Sequence, residues 1–335
     1  MDNNTNDIKK GEDYKPKRFW EIDFLKGFAT IFMVIFHFFY LMYFMDIVHY
    51  NIKSGVLYSM AKMAHTIFIF AVGINLAISQ QKFRAKNKEL YKENKTEYNN
   101  QFLGKQMKRA FVLIAAGFVM SFLSYLGFGN LFVKFGIFHF IGVAIILTIP
   151  IVDKKYMSLA VTGLIIILYY LTNTPKLLNY FSSACHNTPI LCFITGVFNV
   201  KFSSLDHFSI IPYLGLITFG IFVGGMLYTD NDRKFIKKNK HNKTFDESQE
   251  NNLVNNVSLL GKHSFMVYFI HFIAFYLLLL SYKQAKNKLK SIYSQKAMTD
   301  DTDLGTNDSN SNSNSNSNSN SNSEPYLVQD RIKKK

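Results

Sequence analysis

Seven apolar stretches, most of about the length a bilayer demands, alternate along the chain with lysine- and asparagine-rich polar segments. They cover approximately residues 22–45, 56–79, 109–126, 131–152, 156–171, 208–228 and 262–282. This pattern predicts an all-α fold, a polytopic transmembrane helical bundle of about 7–8 spans. The polar connections carry the orientation. The N-terminal tail and the connections after the second, fourth and sixth stretches are basic, and those after the first, third and fifth are nearly free of Lys and Arg. By the positive-inside rule the N-terminus is cytoplasmic. Seven spans would put the C-terminus outside although residues 283–296 are basic, so the side of the tail stays open.

Three regions follow: a basic tail over 1–21, a transmembrane domain over 22–282, and a polar tail over 283–335. The last contains an Asn-Ser repeat over about 307–323, which has no apolar content to pack and is expected to be disordered. Residues 189–200 are apolar but too short to cross and read as a re-entrant or interfacial piece. The first 20 residues lack the apolar core of a cleavable signal, so the first span is expected to act as the insertion signal.

Composition adds little to this pattern. A net charge of +15 would suggest nucleic acid for a soluble domain, but here the lysines sit in the connections, and no nucleic-acid partner is expected. Two cysteines, Cys185 and Cys192, exclude a disulfide-rich fold and a thiolate metal site; both fall in one outer segment, which allows a single bridge.

The chemistry lies in ionisable residues inside the apolar stretches, where they are costly to place. At the helical rise His37, His65 and His139 each fall ~12–14 Å below the outer surface, and His271 falls ~16 Å below it. Four histidines near one level suggest a shared polar cavity able to move protons near neutrality. Taken singly, each could equally be a hydrogen bond between helices. No carboxylate or thiolate joins them at helical spacing, so no metal is expected. His49 lies in the first outer connection, and Asp206 and His207 lie at the outer mouth of the sixth span. On the inner side Asp23, Lys26 and Gly27 open the first span, Arg109 opens the third and Lys262 the seventh. Such cations orient the chain, or hold an anionic ligand arriving from the cytoplasm.

The run R-x-x-E-I-D-x-L-K-G-x-A-x-x-x-M-V-x-F-H over Arg18–His37 resembles the opening of the heparan-α-glucosaminide N-acetyltransferase catalytic-domain family. Four further segments agree in order: F-I-F-A-V-G-I from Phe68, F-G-I-F-H-F-I-G-V from Phe135, I-I-P-Y-L-G-L-I-T-F-G-I from Ile210, and L-G-K-H-S-x-x-V-Y-x-I-H ending at His271. The resemblance implies a transmembrane acyltransferase that takes acetyl from cytosolic acetyl-CoA and passes it to an amine or hydroxyl of an extracytoplasmic glycan or lipid-linked sugar. On that reading His37 or His49 is the general base, His139 and His271 line the cavity, and Asp23, Lys26, Gly27, Arg109 and Lys262 form the donor end. The family usually has Arg where Lys26 stands, and its eukaryotic members have Asn where His37 stands. Their proposed active histidine falls at the place of His49. The rival readings are a histidine-relay transporter and a structural membrane protein. An internal inverted repeat would favour the former, and none is evident. The Lys- and Asn-rich composition suits the cell membrane of a microbe, with membrane lipids as partners and a homo-oligomer allowed.

Overall fold

The computed structural model describes residues 18–49, 51–52, 54–187, 194–196, 204–229, 232–234 and 252–304. The helices are α1 (Trp20–Phe44), α2 (Gly55–Lys86), α3 (Lys88–Glu93), α4 (Lys95–Phe128), α5 (Ile137–Thr148), α6 (Lys155–Thr172), α7 (Pro175–Asn187), α8 (Ile210–Leu227), α9 (Asn252–Lys262) and α10 (Ser264–Leu304). Two short strands, β1 (Tyr228–Thr229) and β2 (Asp232–Arg233), pair antiparallel after α8. The chain divides into two compact units, residues 1–280 and 281–335; the described part of the second is the continuation of α10 to Leu304.

Among the described residues six helices are long and apolar enough to cross a membrane: α1, α2, α4, α6, α8 and α10. This is an integral membrane helical bundle. The expected fourth span is the shorter α5, 12 residues or ~18 Å against a hydrocarbon core of ~30 Å. The chain before it is extended, and its backbone groups find partners in a second extended segment ahead of α8. The Leu205 N–H donates to the Leu131 carbonyl at 2.8 Å and the Phe208 N–H to the Phe135 carbonyl at 2.9 Å. The Lys134 N–H donates to the Ser204 hydroxyl, which donates to the Asp206 carbonyl at 2.7 Å. Irregular backbone is tolerated inside a bundle only when satisfied in this way.

The basic connection after α2 is not a loop. α2 continues to Lys86, and α4 starts at Lys95 under an Asn94 cap whose side chain accepts from the Glu97 N–H at 3.0 Å. Lys, Glu and Gln are good helix formers, so the two helices run on past the apolar layer. The polar tail after residue 282 likewise begins as helix. The Asn-Ser repeat and Cys192 lie outside the described residues, as do all but residues 194–196 of the short apolar piece.

Small residues set the close crossings, as is usual for membrane helices. A Cβ at Gly73 would strike the Ile217 carbonyl, and one at Gly220 the Phe70 carbonyl, so α2 and α8 meet backbone to backbone. Around this contact Ile69, Phe140, Ile145, Ile217 and Ile221 are almost fully buried. At the other side of the bundle α1 packs on α9 through Gly27, which faces the Val257 carbonyl, and Gly261, which faces the Asp23 carbonyl.

Candidate active site

The sequence of α1 places Asp23, Lys26, Thr30, Met33 and His37 at steps of three and four, which is one helical stripe. Two cavities lie along it. The first surrounds the basic end of the bundle and has a volume of about 490 Å³. The start of α1 gives it Arg18, Asp23 and Lys26. The C-terminal half of α2 gives Asn75, Ser79, Lys82 and Lys86, and the N-terminal half of α4 gives Lys105 and Arg109. These positions again recur at three- and four-residue steps, so these halves of α2 and α4 aim their cations at one space.

Among the described residues, six cations face a single carboxylate there. Asp23 accepts from the Arg18 guanidinium, and the Lys26 ammonium stands 4.0 Å from its other oxygen. Among the described residues no carboxylate lies within ion-pair distance of Lys82, Lys86, Lys105 or Arg109. The site therefore carries uncompensated positive charge suited to phosphate groups. Glu21 does not reduce that charge, because it is occupied next door. It takes a bidentate contact from Arg233 at 2.7 and 2.9 Å and the Tyr228 hydroxyl at 3.0 Å, which fastens the β1–β2 hairpin beneath α1. Burial, together with the charge of Glu21 and the hydrogen bond to it, holds the Tyr228 phenol above its usual range.

The second cavity lies higher on α1 and is small, about 20 Å³. Ala29, Met33 and His37 of α1 form one wall, Ala64, His65 and Phe68 of α2 another, and Ser264 and Tyr268 of α10 a third; Asp206 and Phe208 close it from the extended segment. Asp206 belongs to the connection ahead of α8, not to a span. Burial pushes its carboxyl up to about 7, against a smaller opposing pull from the His207 backbone N–H.

In this cavity His37 is held by a hydrogen bond and by several ring contacts. Its Nδ1 lies 3.0 Å from Nε2 of His271, and the two rings stack 19° from parallel. Tyr268 and Phe272 set their edges against the His37 ring, and Phe275 does the same for His271. His271 Nδ1 lies 2.7 Å from the Val267 carbonyl. A carbonyl can only accept, so His271 carries its proton on Nδ1 and, when neutral, leaves Nε2 as acceptor. His37 then donates from Nδ1, and its Nε2 bears the lone pair. The chain Val267–His271–His37 thus fixes one tautomer and orients one base, the arrangement that general-base catalysis needs.

A family model described as "Heparan-alpha-glucosaminide N-acetyltransferase, catalytic" matches residues 18–273. The chain belongs to this family. No curated protein and no solved structure gives a significant match. Family membership makes the protein a transmembrane acyltransferase in general terms, and the matched segment contains both cavities.

Of the residues singled out from the sequence, the fold brings His37 and His271 into contact and puts Asp23, Lys26 and Arg109 around the basic cavity. Gly27 lies beside that cavity but serves the crossing with α9. Lys262 is exposed at the end of α9 and lines neither cavity. His49 is exposed, 3.5 Å from Asp46 in the outer connection. His139 does not join the other histidines: its ring packs against Gly117, Phe118 and Phe135 between α4 and α5. Lys82, Lys86 and Lys105, which by sequence alone read as orientation charges in a basic connection, also line this cavity. The helical spacing of Asn75, Ser79, Lys82 and Lys86 was the signal available for them. Among the described residues no cluster of three or more metal-ligating side chains occurs.

Proposed function

We propose that the protein transfers an acetyl group from cytoplasmic acetyl-CoA to an amine or hydroxyl of an extracytoplasmic sugar, with His37 as general base. The observation that carries this reading is the continuity of α1. Its first turns line the phosphate-suited cavity, and the same stripe ends ~21 Å further on, by residue rise, at an oriented histidine. Arg18, Lys82, Lys86, Lys105 and Arg109 hold the phosphates of the donor, and Lys26 and Thr30 face its acyl-bearing arm.

In the transfer step His37 Nε2 removes a proton from the acceptor nitrogen or oxygen as that atom bonds to the thioester carbonyl carbon. The carbon–sulfur bond then breaks, the thiolate of CoA departs, and the proton on His37 returns to it. His271 stabilises the imidazolium by accepting from its Nδ1–H. Asp206, across the cavity, faces the neutral acceptor amine or hydroxyl and helps to orient it. The host membrane on this reading is the plasma membrane of a microbe.

The test uses purified protein in lipid vesicles with radiolabelled acetyl-CoA on the basic side and glucosamine on the other. Labelled acetylglucosamine is expected, with His37→Ala lowering kcat by about 10²- to 10⁴-fold and His49→Ala leaving it within about twofold, since His49 is exposed and remote from both cavities. Full activity of His37→Ala would overturn the assignment of the base. Failure of any label to leave CoA, with donor binding intact, would overturn the transferase reading.

A further inference from the structure

A third cavity, about 1200 Å³, lies between α6, α7 and α8 and takes no part in the mechanism above. Its two ends differ in chemistry. At the outer end stand Lys62, Tyr169, Asn173, Asn179 and His207; toward the basic end of the bundle its walls are Leu159, Ile166, Leu216 and Phe219. It opens sideways, because wall residues face outward: Ile166 is 61% and Phe219 39% exposed. From Tyr169 down to Leu159 the rise along α6 is ~15 Å, the depth of one leaflet of a hydrocarbon core of ~30 Å.

Lys62 is exposed on α2 about two turns in from its outer end, where its long side chain reaches the level of lipid headgroups. Its ammonium lies 5.4 Å from the centre of the Tyr58 ring, and among the described residues no carboxylate lies within ion-pair distance of it. An ammonium at the outer end of a laterally open apolar cleft fits an anionic headgroup whose chains lie against α6 and α8.

The cleft also adjoins the transfer cavity through a wall one strand thick. Along the extended segment, Asp206 and Phe208 line the transfer cavity and His207 and Ser209 line the cleft, the period-two alternation of an extended chain. On α2 the same division separates His65, in the transfer cavity, from Lys62 and Thr66, in the cleft. A headgroup held at Lys62 is therefore separated from the histidines by the single layer formed by residues 206–208.

We infer that this cleft binds the acceptor, and that the acceptor is an outer-leaflet lipid carrying its sugar through a phosphate. This rests on the transferase reading and deepens it. Lys62 takes the phosphate, Asn173, Asn179 and Tyr169 face the sugar, and the lipid chains lie between α6 and α8. Gly163 lines the cleft with open space around a Cβ. Gly163→Leu therefore fills the cleft without a clash and replaces a poor helix former by a good one.

Two arms test the inference with the full chain in lipid nanodiscs. In the binding arm, native mass spectrometry follows polyprenyl phosphate bound to the wild type, to Lys62→Met and to Gly163→Leu. Retention by the wild type and a loss of about tenfold or more in each variant, the scale of one charge-assisted contact, is expected, with unfolding temperatures unchanged. In the transfer arm, polyprenyl-phosphoryl glucosamine competes with free glucosamine for radiolabelled acetyl. The lipid acceptor is expected to win, and both variants to lower the lipid-to-free ratio about tenfold. Polyprenyl phosphate that binds neither better nor worse in the variants, or free glucosamine acetylated in preference, overturns the lipid acceptor while leaving the transferase reading intact. Lys62-dependent binding with no transfer to either acceptor overturns the transferase reading and leaves the lipid site standing.

Discussion

His271→Leu isolates the contribution of the histidine pair. The substitution removes the acceptor that His37 Nδ1 meets at 3.0 Å and keeps an apolar side chain among Tyr268, Phe272 and Phe275. A buried donor left without a partner costs about 1–3 kcal/mol, which is roughly 5- to 150-fold in rate where the bond is needed to hold the reactive tautomer. Loss of groups that orient metal-bound histidines has effects of about 10–100-fold, which falls within that range. The expected loss in kcat is therefore about 10–100-fold. The affinity for acetyl-CoA should be unchanged, since His271 lies away from the basic cavity. His37→Ala alone should cost about 10²- to 10⁴-fold. If His271 acts only through His37, the double variant His37→Ala/His271→Leu falls no further than His37→Ala, within about twofold. His271→Gln, whose amide oxygen can accept the same proton, should recover part of the rate. The assay is single-turnover acetyl transfer at saturating donor, with an unfolding curve for every variant. A double variant whose loss is the product of the two single losses would refute the pairing, as would a His271→Leu effect confined to donor affinity.

Four further outcomes follow from the structure. Lys82→Ala and Arg109→Ala should each weaken acetyl-CoA binding by about tenfold or more with little change in kcat, and added salt should narrow the difference, which titration of donor binding at two ionic strengths checks. Asp206 is pushed up to about 7, so a step that needs its carboxylate gains rate as pH rises through about 7, and Asp206→Asn should remove that limb from the pH–rate profile. The same raised value means that its contribution to stability is full below about pH 4 and is lost as pH rises through about 7; the wild-type unfolding temperature should fall over that range and that of Asp206→Asn should not. Arg233→Ala leaves Glu21 unpaired where the Arg233 side chain is 4% exposed, and a loss of about 3–5 kcal/mol is expected in chemical unfolding of the solubilised protein.

The sequence by itself determined the quantities that vary along the membrane normal. Apolar length gave the membrane helices, lysine placement marked the basic end of the bundle, and the rise per residue put His37, His65, His139 and His271 at similar depths. The segments from Arg18 to His37 and from Leu260 to His271 carried the family resemblance, which the match over residues 18–273 bears out. Direction around the bundle axis was not legible. Depth is one coordinate, and whether two histidines at one depth touch depends on which helix faces which, set by distant backbone contacts such as Gly27 on Val257 and Gly73 on Ile217. So His271 meets His37 across 234 positions of sequence, while His139, at a similar depth, turns to the α4–α5 interface. The same reason hid Asp206. Only the pairing of residues 131–135 with residues 205–208 carries that carboxyl from the outer mouth of α8 to the histidines. Local periodicity makes helices and stripes; packing between elements far apart in sequence turns those stripes into a site.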